Sequence, residues 1–231
     1  GVLAGTLASL RFRNAAHPLI SLAPLKAGTF LLAVLGAGLV VRIAINATPF
    51  LLPLMFQIGW GYDPFSAGML VLVYMGGNLL MKTVTTPILR RFGFRPVMVA
   101  NGAIVAASIA GTALLAPGVP LIVTGATLLI AGMARSMQFT GLANLTFADI
   151  APEERAHAST ISEVTWQSAQ TFGVAIGAGL LSMSVSLRHG AAVATGDFAF
   201  AFVVLGVVAL GALIGFLRMP ADAGARIAGK A

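Results

Sequence analysis

The chain of 231 residues has no cysteine, few charges and three histidines. Without cysteine there is neither a disulfide nor a thiolate metal site. Charged residues make up 9% of the chain, against about 25% in a soluble domain. The enzyme signatures are missing as well: there is no HExxH, no GxSxG and no P-loop lysine motif. His17, His157 and His189 fall in loops or at helix ends, so no nucleophile and base meet at depth in an apolar segment. These absences point away from an enzyme, and no cofactor or metal is expected. The net charge of +7 is not a nucleic-acid footprint, because the basic residues alternate between loops and do not gather on one face.

What the chain has is apolar length. It is 58% hydrophobic, with a mean hydropathy of +0.95. Six apolar runs lie near 29–57, 64–89, 97–116, 119–145, 156–186 and 198–218. About 20 apolar residues cross a bilayer as a helix, and each run reaches roughly that length. Buried helices of a soluble protein would need polar faces that these runs lack. The fold class is an all-α membrane protein with six transmembrane helices.

The runs differ in charge. Those near 29–57, 64–89, 119–145 and 156–186 carry Arg42, Lys82, Arg135 and Glu163, whereas those near 97–116 and 198–218 carry none. A charge in hydrocarbon normally faces a bundle interior or a water-filled cavity. In chain order the pattern is charged, charged, plain, twice over. This is a three-plus-three repeat, inverted because three spans reverse the chain direction, and it suits a transporter.

Basic residues set the orientation. With a cytoplasmic N-terminus, Arg11, Arg13, Lys26, Arg90, Arg91, Arg95, Arg155, Arg218, Arg226 and Lys230 are inside and Arg188 is outside. Both ends are then cytoplasmic. Residues 1–10 are apolar but too short to span, and Arg11 and Arg13 follow them where a signal peptide would carry its charges first. They read as the cytoplasmic end of a preceding helix, with a short interfacial helix as the alternative. The organisation expected is a linker over 1–28, a six-span bundle over 29–218 and a cytoplasmic tail over 219–231.

Polar residues recur at helical spacing within the runs. Arg42 and Asn46 share one face, with Pro49 and Pro53 beyond them to kink the helix. Asn78 and Lys82 are again four apart. Ser136, Thr140 and Asn144 form another row, with Arg135 and Gln138 on adjoining faces. Ser159, Glu163, Gln167 and Gln170 make a continuous stripe. Interhelical hydrogen bonding, worth under about 1 kcal/mol each, is the plainer role for the amides and hydroxyls; a carboxylate exceeds that need.

The connections carry turn chemistry. Asp63 is placed to cap a helix that Pro64 opens. Trp60 and Tyr62 suit an interfacial aromatic belt. Residues 116–120 form a tight turn, and Pro152, Glu153 and Glu154 a first helical turn. The pairs Gly173/Gly177 and Gly211/Gly215 let helices approach closely.

The segment Leu89-Arg90-Arg91-Phe92-Gly93-Phe94-Arg95 resembles the second copy of the loop motif of the major facilitator superfamily, with Arg91, Gly93 and Arg95 matching and Arg90 and Thr86 departing from it. The stretches 49–68, 136–154 and 172–181 resemble its 14-span drug:proton antiporter branch. The resemblance covers nearly the whole chain and corresponds to that family's C-terminal half. It implies that the first and fourth spans line a cavity, with Arg42, Asn46, Arg135 and Gln138 as substrate-cavity candidates. It implies that the second and fifth spans face the other half, with Asn78, Lys82, Glu163, Gln167 and Gln170 as coupling or inter-half candidates, and that the third and sixth face lipid. The implied function is the C-terminal half of a proton-coupled exporter of drugs or other amphipathic small molecules in a bacterial inner membrane. Its partners would be substrate, protons, the lipid bilayer and an N-terminal half. A metabolite or sugar transporter of another branch, and a six-span structural subunit with no transport path, are the alternatives.

Overall fold

The computed structural model describes residues 21–220 together with 223–224. The reading of residues 1–10, and most of the tail, lie outside the described residues. Among those described there are seven α-helices and no strand. We label them α1 (Gly28–Val34), α2 (Ala37–Leu54), α3 (Pro64–Phe92), α4 (Phe94–Thr112), α5 (Leu121–Thr146), α6 (Arg155–Leu187) and α7 (Thr195–Leu217). A π-helical turn, Met55–Gly59, continues α2. Six elements are long and apolar enough to cross a membrane: the joined stretch Gly28–Gly59, then α3, α4, α5, α6 with its leading turn, and α7.

Local chemistry sets the ends of these elements. Asp63 caps α3 by accepting from the backbone N–H groups of Phe65 and Ser66, and Pro64 follows at the first helical position. Hydrogen bonds from Ser66 hold the Asp63 carboxyl below the usual carboxylate range. Gly93 separates α3 from α4 at φ 87°, a left-handed conformation that favours glycine. Glu153 and Glu154 lie in a short 3₁₀ turn that leads into α6. Asp197 secures the start of α7: it accepts from Ala194 N–H, from the Ser184 hydroxyl and from Arg188.

The first span differs from the single kinked helix expected. Pro49 and Pro53 lie inside α2, and the chain takes its π-helical turn just after them, while the Ile45 carbonyl that Pro49 cannot bond is met by Arg135 at 3.5 Å. The actual break is at Leu35–Gly36, where the ψ of Gly36 is −127°. Gly38 permits the break, since a Cβ there would stand 1.9 Å from the Ala33 carbonyl oxygen.

Helix packing follows the repeat. The main pairs are α3 with α5, α4 with α7, α2 with α6, α4 with α5, and α2 with α7. Exchanging the first three spans for the last three maps α3–α5 onto α6–α2 and α4–α5 onto α7–α2, and returns α4–α7 to itself. This is the pairing of an inverted three-plus-three bundle. Close approach at α3–α5 depends on Gly77 and Gly132: a Cβ at these positions would lie 2.1 Å from Leu129 O and 1.9 Å from Tyr74 O. At the equivalent α6–α2 crossing, Gly173 is the close-contact residue, 2.9 Å from Ile43 O by the same measure. Of the second glycine pair, Gly215 meets Ala37 and Gly211 meets open space.

Three contacts show which ends lie together. Thr195 donates to Gly59 O at 2.6 Å at one end of the bundle. At the other, Arg95 donates to Leu217 O at 3.0 Å and Thr29 to the Asp149 carboxylate. Arg90, Arg91, Arg95, Arg155 and Arg218 all fall at this second end. Arg188 lies at the first end and is paired with Asp197 at 2.8 Å, the one ion pair among the described residues.

Candidate functional site

A continuous helix would hold the Ala33 carbonyl in its own ladder. At the break, Arg42 takes it, donating from Nη1 at 2.7 Å. A guanidinium at the carbonyl end of α1 also meets the negative pole of that short helix. Arg42 is 3% exposed, and its Nε has no partner. Its charged carbon lies 5.7 Å from the centre of the Trp166 ring on α6.

Trp166 in turn meets Phe139 of α5 edge-on, with ring centres 4.8 Å apart. Arg135, one turn earlier on α5, lies over the Phe139 ring at 4.8 Å. It reaches back to Ile45 O at 3.5 Å, and the buried Tyr74 of α3 stands beside it. The first, fourth and fifth spans are thereby joined by a guanidinium–indole–phenyl–guanidinium stack. Asn46 is buried next to this region with its amide nitrogen unpartnered.

Gln138 stands apart from the other cavity candidates. It is fully buried at 0% exposure and accepts from Asn101 Nδ2 of α4 at 2.7 Å, and Asn101 also donates to Ala134 O. It faces the third span and not the Arg42–Arg135 stack. Ser136 of the same helix is also buried, with an unpartnered hydroxyl.

The second group of candidates lies on the outside of the bundle. Lys82, Glu163, Gln167 and Gln170 are exposed and Asn78 is half-buried. Gln167 donates to the Glu163 carboxylate at 2.8 Å, and together with Thr171 and Phe172 they line an open hollow of about 410 Å³. A second hollow of about 460 Å³ runs between the starts of α3 and α5, bounded by Phe65, Met69 and Leu121. The second and fifth spans are the least buried of the six.

The loop residues make local contacts. Gly93 supplies the left-handed turn, Arg95 caps the carbonyl end of α7, and Arg91 lies over the Phe92 ring at 5.6 Å. Among the described residues no group of three or more His, Asp or Glu is placed to hold a metal ion.

Against known proteins, the family profile described as Major Facilitator Superfamily matches residues 13–230. The chain belongs to the major facilitator superfamily. It is a multi-pass membrane protein of a transporter family, built as the six-span half-bundle of that superfamily. It is similar to proteins named "Putative multidrug resistance protein MdtD". The match in Pectobacterium carotovorum subsp. carotovorum (strain PC1) is 32% identical over 193 residues, covering 81% of this chain and 41% of the relative. The match in Citrobacter koseri is 30% identical over 233 residues, covering 96% and 47%, and that in Escherichia coli (strain SE11) 32% over 232 residues, covering 96% and 47%. The chain thus spans less than half the length of these curated relatives.

Several site features carried weak sequence signals. Asn101 is the lone amide in a run without charge. Trp166 shares a helix face with Glu163 and Gln170, at spacings of three and four. Phe139 lies four residues from Arg135. The hinge was marked by Gly36 and Gly38, which the prolines further on overshadowed.

Proposed function

We propose that this bundle is the C-terminal half of a proton-coupled secondary transporter that exports amphipathic small molecules by alternating access. The observation that carries the reading is the placement of polarity. The second and fifth spans expose Lys82, Glu163, Gln167 and Gln170, which are costly toward hydrocarbon and suit a face covered by a second six-span bundle. The buried Arg42 and the half-buried Arg135 lie on the first and fourth spans behind that face. Two bundles rocking about a site at their interface are what alternating access requires. The names of the relatives support drug export over a metabolite or sugar, and the family supports transport over a structural subunit.

In this reading both ends are cytoplasmic in a bacterial inner membrane, and the loops near 60–63, 113–120 and 188–194 are outside. The unequal basic ends support it, with Arg188 the single Lys or Arg in the outside loops. Glu163 is the acid placed to couple protons, with Gln167 holding its carboxylate.

The test is uptake into inverted membrane vesicles containing the whole protein, driven by an imposed pH gradient. We expect a lipophilic dye to move with the gradient, and Glu163→Gln to slow it at unchanged protein level. Dye movement indifferent to the gradient would sink proton coupling; no movement of any dye would sink export.

A further inference from the structure

We propose that Arg42 and Arg135, spaced by Trp166 and Phe139, form a binding site for a carboxylate. The inference rests on the transport reading above and adds the chemistry of what is bound. The carboxylate belongs to an amphipathic acid that is carried, or to an acidic side chain of the second bundle.

The charge balance is the first argument. Two guanidiniums are tied into one stack, with 5.7 Å, 4.8 Å and 4.8 Å between successive members. Neither is ion-paired, since the pair among the described residues is Arg188–Asp197 at another place in the bundle. Glu163 is one turn from Trp166 on the same helix, but its carboxylate is held by Gln167 and does not meet either arginine. Like charges removed from water together are unfavourable without a counter-ion.

The donor balance is the second argument. A guanidinium has five N–H donors. Arg42 makes a single hydrogen bond, to Ala33 O, and keeps a buried, unpartnered Nε. Arg135 is half-buried, makes a 3.5 Å contact to Ile45 O and has the Tyr74 hydroxyl beside it. A buried donor such as Arg42 Nε costs stability until satisfied.

The shape of the stack selects the anion. The charged carbons of Arg42 and Arg135 lie 5.7 Å and 4.8 Å from the Trp166 and Phe139 ring centres, and an aromatic neighbour offers no carboxylate to the N–H fork of either guanidinium. A planar carboxylate accepts such a fork through two parallel hydrogen bonds. Asn46, whose buried amide nitrogen has no partner, stands beside the arginines as a further donor, and Trp166 and Phe139 offer apolar surface to the body of an aromatic or aliphatic acid.

The experiment uses the whole solubilised protein with benzoate as the probe. Trp166 emission is read as the part of the indole signal lost in Trp166→Phe. In parallel, vesicles are loaded with a xanthene dye bearing a free carboxylate or with its cationic ester. If the substrate supplies the carboxylate, benzoate quenches Trp166 saturably. Arg42→Gln and Arg135→Gln then abolish the quench and cut kcat/KM about ten-fold more for the acid dye than for its cationic ester. If the second bundle supplies it, benzoate has no effect on the wild type, both dyes slow about ten-fold alike in Arg42→Gln, and Arg42→Lys restores both. Arg42→Lys also serves as the folding control. Wild-type rates for both dyes in both Gln variants, with no benzoate response, would overturn the site while leaving transport intact. Failure of the wild type to move either dye would overturn the transport reading, and the benzoate titration would still decide the site.

Discussion

Asn101 on α4 donates to Gln138 on α5 at 2.7 Å, inside an otherwise apolar packing layer. The bond is asymmetric in its consequences, because Gln138 Nε2 is already without a partner. Removing Asn101 leaves both ends of the Gln138 amide unsatisfied, whereas removing both side chains leaves nothing to satisfy. We expect Asn101→Leu to cost about 1–3 kcal/mol and the double variant Asn101→Leu/Gln138→Leu to cost less than the single one. Thermal unfolding in detergent micelles measures the cycle. A double variant worse than the single one would refute the account.

Glycine contacts between the second and fourth spans give a sharper test. Gly132→Ala places a Cβ against Tyr74 O and Gly77→Ala one against Leu129 O, while Gly76→Ala meets nothing within 4 Å. Overpacking of this kind costs about 1–3 kcal/mol. We expect the first two variants to melt well below the wild type and the third to match it or exceed it. Equal melting temperatures for Gly76→Ala and Gly132→Ala would contradict the crossing.

Topology can be read directly because the chain has no cysteine of its own. Gly118→Cys should react with a membrane-impermeant maleimide added to intact cells. Glu153→Cys should react only after the membrane is opened. Reversed labelling would invert the orientation.

Among the arginines, Arg42→Ala should impair transport more than Arg135→Ala. Arg42 is almost wholly buried and bridges the broken first span, whereas Arg135 is partly exposed and makes a 3.5 Å contact. Initial efflux rates at matched expression decide the ranking, and equal losses would remove it.

The start of α3 should be sensitive to acid. The Asp63 carboxyl is held below its ordinary range by the hydrogen bonds of the cap, so the unfolded chain takes up its proton first as the pH falls. The contribution of the cap is therefore complete above the ordinary carboxylate value, about pH 4, and is lost as the pH drops through the lower folded value. Asp63→Asn should flatten that part of the melting profile. An unchanged acid limb would exclude Asp63 as its source.

Much of the architecture could be read from the chain because a bilayer leaves few choices. Six apolar lengths, short connections and one-sided basic ends constrain a helical bundle strongly, and the alternation of charged and plain spans anticipated the repeat seen in the helix pairing. Individual site residues were less legible. Helical spacing places Gln138 on a face adjoining Arg135, but only packing shows that this face meets α4 and Asn101. Pro49 and Pro53 advertised a kink, yet α2 runs on through both into a π turn, while Gly36 and Gly38 allowed the true break. Trp166 and Phe139 read as ordinary apolar residues until the fifth span was laid against the fourth and first. Such pairings depend on helix rotation, which periodicity alone leaves open.

The interruption at Leu35–Gly36 makes one backbone oxygen a shared resource. In a continuous helix the Ala33 carbonyl would point along the axis to the Ala37 N–H; in the broken one it turns to Arg42. Straightening the span and tethering the guanidinium are therefore competing states of a single acceptor. Whatever drew Arg42 away, an incoming anion above all, would favour closing the gap, and whatever closed the gap would release a buried positive charge. Charge neutralisation and helix continuity are coupled here through one hydrogen bond.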